Sequence, residues 1–212
     1  MAIWFASGNK HKKEEMEAIL GRKLIIPSEV GLDFDPVESG ATFLENSLIK
    51  AKALLSLLEE KRPPQYASGD PVIADDSGIC VDALGGRPGI YSARYGTINV
   101  DGTSDDVPIN KKLTDTERNN LLLTKLGDNP RRLARFACAM VLLFTSDRFY
   151  SVQETLEGEI INGASRGKSG FGYDPILFIP ELNRTAAELS PEEKNSISHR
   201  GKAARAIAKF LE

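Results

Sequence analysis

With 212 residues, 41% hydrophobic and 27% charged, and a formal net charge of −3, the chain has the composition of an ordinary globular protein with enough length for a sizeable core. The acid excess excludes a global basic field for nucleic acid, so any polyanion must be met by a local group of cations. Cys80 and Cys138 stand far apart without CxxC spacing, no apolar stretch reaches transmembrane length, and the opening MAIWFASGNK lacks a basic leader with an apolar core. These features argue against a disulfide framework, a zinc cluster or a membrane span, and point to one cytoplasmic folded unit with two lobes.

Residues 2–6, AIWFA, read as a short buried strand that stops at the turn cluster Ser7-Gly8-Asn9. A helix follows, with Met16, Ile19 and Leu20 at helical spacing among lysines and glutamates. The clearest helix is in ESGATFLENSLIKAKALLSLLEE: Leu44, Leu48, Ala51, Leu55 and Leu58 form the expected stripe, and Thr42 with Glu45 has capping-box spacing. The Pro-, Gly- and Ser-rich run KRPPQYASGDP then delivers the chain to a strand, VIAD, which is expected to end at the adjacent carboxylates Asp75 and Asp76.

The polar segment from Gly96 to Asn119 reads as a surface excursion without chemistry, leading to a helix around NLLLTKL. RRLARFACAMVLLF and FYSVQETLEGEII read as two long strands joined by TSDR, an antiparallel hairpin of the second lobe. After the turn-rich NGASRGKSGFGYDP comes the strand ILFI. A helical C-terminal segment then opens with Ser190, Pro191 and Glu193 as cap, first helical residue and box partner, and carries the stripe Ala203, Ala206, Ile207, Phe210 and Leu211. The sum is a mixed α/β fold.

Four stretches have the residue types for chemistry, and each also has a plainer reading. SGNKHK places a glycine turn at a helix start, where backbone N–H groups with Lys10 and Lys12 can hold phosphate, although the Walker spacing is missing and a solvated basic helix start looks the same. IADDSG offers hard oxygen ligands: neighbouring carboxylates repel unless a cation or shared proton relieves them, and Mg²⁺ is an economical solution, but a turn cap with Ser77 and Gly78 fits the same letters. Glu38 and Glu45 are further candidate carboxylates. SGFGYDP sets Phe171 and Tyr173 between glycines, either as stacking platforms for a flat base or as anchors of a turn. EEKNSISHRG supplies Lys194, His199 and Arg200, or simply a solvated helix face; with His11 and His199 the only histidines, a His-rich metal site is excluded.

Taken together, SGNKHK, ESGATFLENSLIKA, ADDSGICVDALGGRPGIYSARY, RFACAMVL, SGFGYDPIL and TAAELSPEEKNSISHRGKA stand in the order of the inosine triphosphate pyrophosphatase family, and the chain closely resembles its bacterial branch from about Ile3 to the C-terminal helix. The resemblance implies an elongated, two-lobed mixed α/β fold in a single domain over 1–212, with the second lobe at approximately 86–160 and the active-site cleft between the lobes. It further implies a Mg²⁺-dependent homodimer that hydrolyses ITP, dITP and XTP to the monophosphate and pyrophosphate, with no nucleic-acid or membrane partner. Carried over by motif, Ser7, Gly8, Asn9, Lys10, His11 and Lys12 line the triphosphate, Glu38 and Asp76 hold the metal, and Asp76 accepts the proton of the attacking water. Asp75 and Glu45 support them. Ser77, Phe171, Gly172, Tyr173, Asp174, Lys194, His199 and Arg200 contact the nucleotide, and Arg200 or backbone N–H groups are expected to donate to the purine 6-keto group. The segments 61–71 and 96–119 look longer than the family's pattern, and Ser7 stands where threonine is common. A phosphohydrolase releasing orthophosphate and a non-catalytic nucleotide-binding module are the competing classes, and product analysis separates them.

Overall fold

The structure is a computed structural model that describes residues 1–96, 113–167 and 169–211. Most of the segment 96–119 therefore lies outside the described residues. In chain order the strands are β1 (Trp4–Phe5), β2 (Val72–Val81), β3 (Arg87–Pro88), β4 (Leu133–Leu143), β5 (Phe149–Ile160), β6 (Leu177–Ile179) and β7 (Arg184–Thr185). The helices are α1 (Lys10–Leu20), α2 (Phe43–Lys61), α3 (Asp115–Leu126), α4 (Pro191–Ile197) and α5 (His199–Ala208). One seven-stranded mixed sheet runs in the order β1-β2-β4-β5-β6-β7, with β3 beside β2. The mixed α/β class read from the sequence is the class observed.

The chain divides into two compact units. The first comprises 1–76, 138–154 and 198–212, and the second 77–137 and 155–197. The chain passes from one unit to the other within β2, β4 and β5, and again between α4 and α5.

In the first unit β1 pairs parallel to β2, with Trp4 opposite Val72 and Phe5 opposite Ile73. Side chains alternate across a strand, so two cores form. Phe5, Ile73, Cys138, Met140 and Leu142 pack with Met16 of α1 and with Ala203, Ala204 and Ile207 of α5. Trp4, Val72, Ala74, Val141 and Leu143 pack with Ala51, Leu54, Leu55 and Leu58 of α2. A strand covered on both faces reads as a continuous apolar run, which is why AIWFA and the front of VIADD were legible as strands.

The second unit has its own core, in which Ile79 and Val81 meet Leu122 and Leu126 of α3 together with Phe136, Ile160, Tyr173 and Leu177. Here β6 pairs antiparallel to both β5 and β7.

Several sequence expectations need correction. β2 does not end at Asp75-Asp76 but continues through them to Val81, because each carboxylate finds cationic partners within the fold. On α2, Leu44 is 39% exposed, and the buried face instead includes Asn46, Ser47 and Lys50 beside Ala51, Leu54, Leu55 and Leu58. α3 begins at Asp115, so Asp115–Asn119 is helical, and Arg118 and Asn119 are buried. The C-terminal segment is two helices, broken at Ser198, whose hydroxyl accepts from the Gly201 N–H. Phe210 is exposed and stacks on Tyr150 at a ring-centroid distance of 3.8 Å rather than joining the core.

Candidate active site

The first unit gathers its polar groups around β2. α1 starts where Asn9 caps it by accepting the Lys12 N–H at 3.2 Å, while the Ser7 hydroxyl accepts the Asn9 N–H at 3.1 Å. The first turn of this helix holds Lys10, His11, Lys12 and Lys13 and no acidic residue. Acidic residues are the ones that the positive end of a helix dipole stabilises. A helix start of this kind, with backbone N–H groups and cations together, is able to receive an anion.

Asp75 points into the core shared with α1 and α5, and its side chain is fully buried. Lys12 Nζ lies 3.1 Å from Oδ1 and 2.9 Å from Oδ2, and Arg200 donates to Oδ2 through Nε and NH2, both at 3.2 Å. Arg200 NH1 in turn donates to Glu15 at 2.5 Å. The Cys138 thiol lies 4.0 Å from Asp75 Oδ2. Burial works to raise the Asp75 pKa, but Lys12 and then Arg200 outweigh it and hold the carboxyl well below the ordinary carboxylate range.

Asp76, one residue on, faces α2. Its Oδ1 accepts from Lys50 Nζ at 3.2 Å and its Oδ2 from Asn46 Nδ2 at 3.2 Å. Lys50 Nζ also lies 3.1 Å from Glu38 Oε1, so one ammonium bridges two carboxylates. Burial raises the Asp76 pKa, Glu38 adds to the rise, and Lys50 and Lys12 oppose it. The net direction is up, which suits a proton acceptor. Lys50 is itself held above its ordinary value: burial lowers it, and Asp76, Asp75 and Glu38 more than offset that. Strand alternation therefore gives the two aspartates different hydrogen-bond partners, while Lys12 and Lys50 each still act on both.

The loop carrying Glu38 is fixed by the start of α2. Thr42 accepts the Glu45 N–H at 3.1 Å, and Glu45 Oε2 accepts the Ala41 and Thr42 N–H groups at 2.6 and 3.1 Å. Asn46 Oδ1 accepts the Gly40 N–H at 2.8 Å. Glu45 thus shapes the loop through its capping contacts. Ser47 donates to the Ala74 carbonyl at 2.9 Å and joins α2 to β2 just before the aspartates.

Among the described residues, no group of three or more His, Cys, Asp or Glu side chains is placed to hold a metal ion. Glu38 and Asp76 remain a pair of hard oxygen donors around one positive charge. That set fits Mg²⁺, which takes one or two carboxylates and completes its shell with water and phosphate oxygens. Lys50 and Asn46 are the site residues that sequence reasoning missed. Their signal was present: they stand at i and i+4 along the edge of the buried face of α2.

In the second unit, Ser77 follows directly from Asp76, and the aromatic turn 171–174 is held within its own core. Tyr173 is buried and donates its hydroxyl to the Ser92 carbonyl at 2.9 Å, so this ring anchors the turn instead of offering a stacking face. Phe171 keeps partial exposure. Asp174 Oδ2 accepts from the Phe171 N–H at 2.8 Å and from Lys194 Nζ at 2.7 Å, and Lys194 stands 4.8 Å from the Phe171 ring centroid. The expected Ser190–Glu193 capping box forms at the start of α4 and sets Lys194 on its first turns. His199 is buried at the first position of α5, in the first unit.

A sheet covered by helices on both faces, carrying a carboxylate pair beside a cationic helix start, defines an α/β protein of the phosphate-handling class. The chain belongs to the Ham1 family, whose profile matches residues 3–210. It is 47% identical over 212 residues to a dITP/XTP pyrophosphatase of Treponema denticola, covering all of this chain and 98% of that one. The protein of the same name from Thermus thermophilus is 40% identical over 212 residues, covering 98% and 90%. The Staphylococcus aureus Ham1 protein superposes with a TM-score of 0.80 at 38% identity, over 100% of this chain and 98% of the other.

Proposed function

We propose that this chain hydrolyses deaminated purine nucleoside triphosphates, dITP, ITP and XTP, to the monophosphate and pyrophosphate and so removes them from the nucleotide pool. The observation that carries the reading is the bridge from Asp76 of β2 through Lys50 of α2 to Glu38, with Lys12 of the basic start of α1 meeting the same strand at Asp75. Its support outside the site is the agreement of family, curated relatives and solved structures over nearly the whole chain. Mg²⁺ is the proposed cofactor, held by Glu38 and Asp76, and when bound it would neutralise phosphate charge and polarise the reacting phosphorus.

Within this reading the chain's own groups divide the work. Ser7–Lys12 receives the phosphates, with backbone N–H groups and cations at the helix start. Asp76 accepts the proton of the attacking water, and Lys50 and Asn46 hold both its oxygens in place. Asp75 acts through others: it positions Lys12 and Arg200. Arg200, expected to read the base, is engaged with Asp75 and Glu15, and its part is to fix these carboxylates and the helices that bear them. Phe171, Gly172 and Lys194 of the second unit are proposed contacts of the nucleotide, with Tyr173 and Asp174 holding the turn. A homodimer acting in the cytoplasm belongs to the same proposal. Among the described residues, no helix is long and apolar enough to cross a membrane.

Incubating the protein with dITP and Mg²⁺ and following phosphorus NMR tests this reading. Pyrophosphate and dIMP are expected in equal amounts. Orthophosphate as the sole inorganic product would assign the chain to the other phosphohydrolase class, and no turnover at all would leave a binding module.

A further inference from the structure

The aromatic turn has a tether that the proposed reaction does not use. Gly172 sits in the turn with φ +63°, and both of its backbone polar groups are taken by side chains of α3. Its N–H donates to Asp115 Oδ2 at 2.6 Å and its carbonyl accepts from Asn119 Nδ2 at 3.1 Å. Asp115 and Asn119 stand at i and i+4, on one face of the helix. Asn119 is 3% exposed, and Arg118 between them donates to Asp115 and, at 2.5 Å, to the Leu113 carbonyl. The contacts span 57 and 53 residues of sequence, so the attachment is tertiary rather than local.

The geometry gives this tether a specific effect. The Gly172 N–H belongs to the peptide that leads out of Phe171, and the Gly172 carbonyl belongs to the next peptide. Gripping both fixes the orientation of two consecutive peptide planes at a position whose positive φ suits glycine. Phe171 is the partly exposed ring that hangs from the first of them. Tyr173 and Asp174 are already held by Ser92 and Lys194 on the other side of the turn.

We infer that Asp115 and Asn119 are positioning residues for base recognition: through Gly172 they set the height and tilt of the Phe171 ring. The inference rests on the reading of Phe171 as a nucleotide contact. A misplaced ring contributes less to holding the base, so loss of either grip should be visible in KM.

The test compares five variants by melting temperature and by kcat and KM for dITP and dATP. Asp115→Ala and Asn119→Ala should each raise KM for dITP about fivefold or more while kcat stays within about twofold, the signature of lost binding. Both should lower the preference for dITP over dATP in kcat/KM. Asp115→Asn keeps an acceptor oxygen for the Gly172 N–H and should restore KM. Thr114→Ala removes the N-cap of the same helix without touching Gly172; it should lower the melting temperature and leave KM and the preference unchanged. Phe171→Ala should raise KM as the clamp variants do. If Phe171→Ala raises KM and both clamp variants leave it unchanged, the positioning role is overturned while the reading of the turn stands. If Phe171→Ala is also silent, both fall. Should Asp115→Ala fail to fold, Asn119→Ala and Asp115→Asn decide the matter.

Discussion

The carboxylates of Asp75 and Asp76, consecutive in β2, face opposite sides of the sheet: the first meets Lys12 and Arg200, the second Lys50 and Asn46. Adjacent like charges are tolerated because each has its own cations. The difference in surroundings is the ground for proposing a structural part for Asp75 and a chemical part for Asp76.

Asp75 is the structural member of the pair. Replacing it with Asn leaves Lys12 and Arg200 with a neutral partner in a buried place, and breaking a buried pair in this way costs about 3–5 kcal/mol. In a chain of this size each kcal/mol is worth roughly 2–4 °C in melting temperature. Trp4, the single tryptophan and fully buried, reports unfolding by its emission. A melting temperature equal to wild type would remove Asp75 from this role. The pH dependence has a definite sign. A carboxyl whose folded pKa is depressed stabilises the protein above its unfolded value of about 3.9 and loses that contribution as pH falls through and below it. Wild type should therefore lose stability on acidification more steeply than Asp75→Asn.

Gly40 guards the loop that carries Glu38. A Cβ there would lie 2.6 Å from Glu45 Cβ and 2.7 Å from Asn46 Oδ1, with the Asn46 backbone nitrogen at 2.9 Å. The loop must move, and overpacking of this kind costs about 1–3 kcal/mol. Gly40→Ala should raise the Mg²⁺ concentration needed for half-maximal activity by about tenfold, the scale on which disturbed support around metal ligands is felt. An unchanged Mg²⁺ titration would show that Glu38 does not depend on this cap.

Cys138 is a buried thiol beside a carboxylate. Burial first, then the charge of Asp75, push its pKa up to about 12. The protonated thiol is the form the folded state prefers, so its stabilising contribution is full below the ordinary thiol range and is lost as pH climbs from there to about 12. Cys138→Ala should flatten that alkaline decline relative to wild type. Native protein should also withhold Cys138 from a thiol reagent that reaches both cysteines in urea. Immediate reaction of both thiols in the native state would contradict the burial.

What was legible in the sequence was mostly local. The Thr42–Glu45 and Ser190–Glu193 capping boxes were readable because donor and acceptor lie three residues apart. β1 and the stretch of β4 from Phe136 to Leu143 were readable because both of their faces are buried and their runs are apolar. The errors arose where a polar group is satisfied from far away. β2 was expected to stop at its aspartates because the partners that let it continue lie 26 to 125 residues off. Lys50 and Asn46 went unread on α2, since periodicity gives a face but not what the face meets. For Tyr173 platform and turn anchor stayed open, because a lone motif cannot show that its hydroxyl finds Ser92, 81 residues earlier. Asp115 and Asn119 sat unnoticed in a polar run for the same reason.

The central claim is that Asp76 accepts the proton of the attacking water, and Asp76→Asn tests it most directly. The Asp76 pKa is raised by burial, so the folded state favours a neutral group there, and the uncharged Asn variant should melt at the wild-type temperature or a few degrees above it. Turnover of dITP with Mg²⁺, measured on the same folded sample, should fall by about 10²–10⁴-fold, the range expected for a lost general base. A folded Asp76→Asn protein that hydrolyses dITP at the wild-type rate would contradict the account.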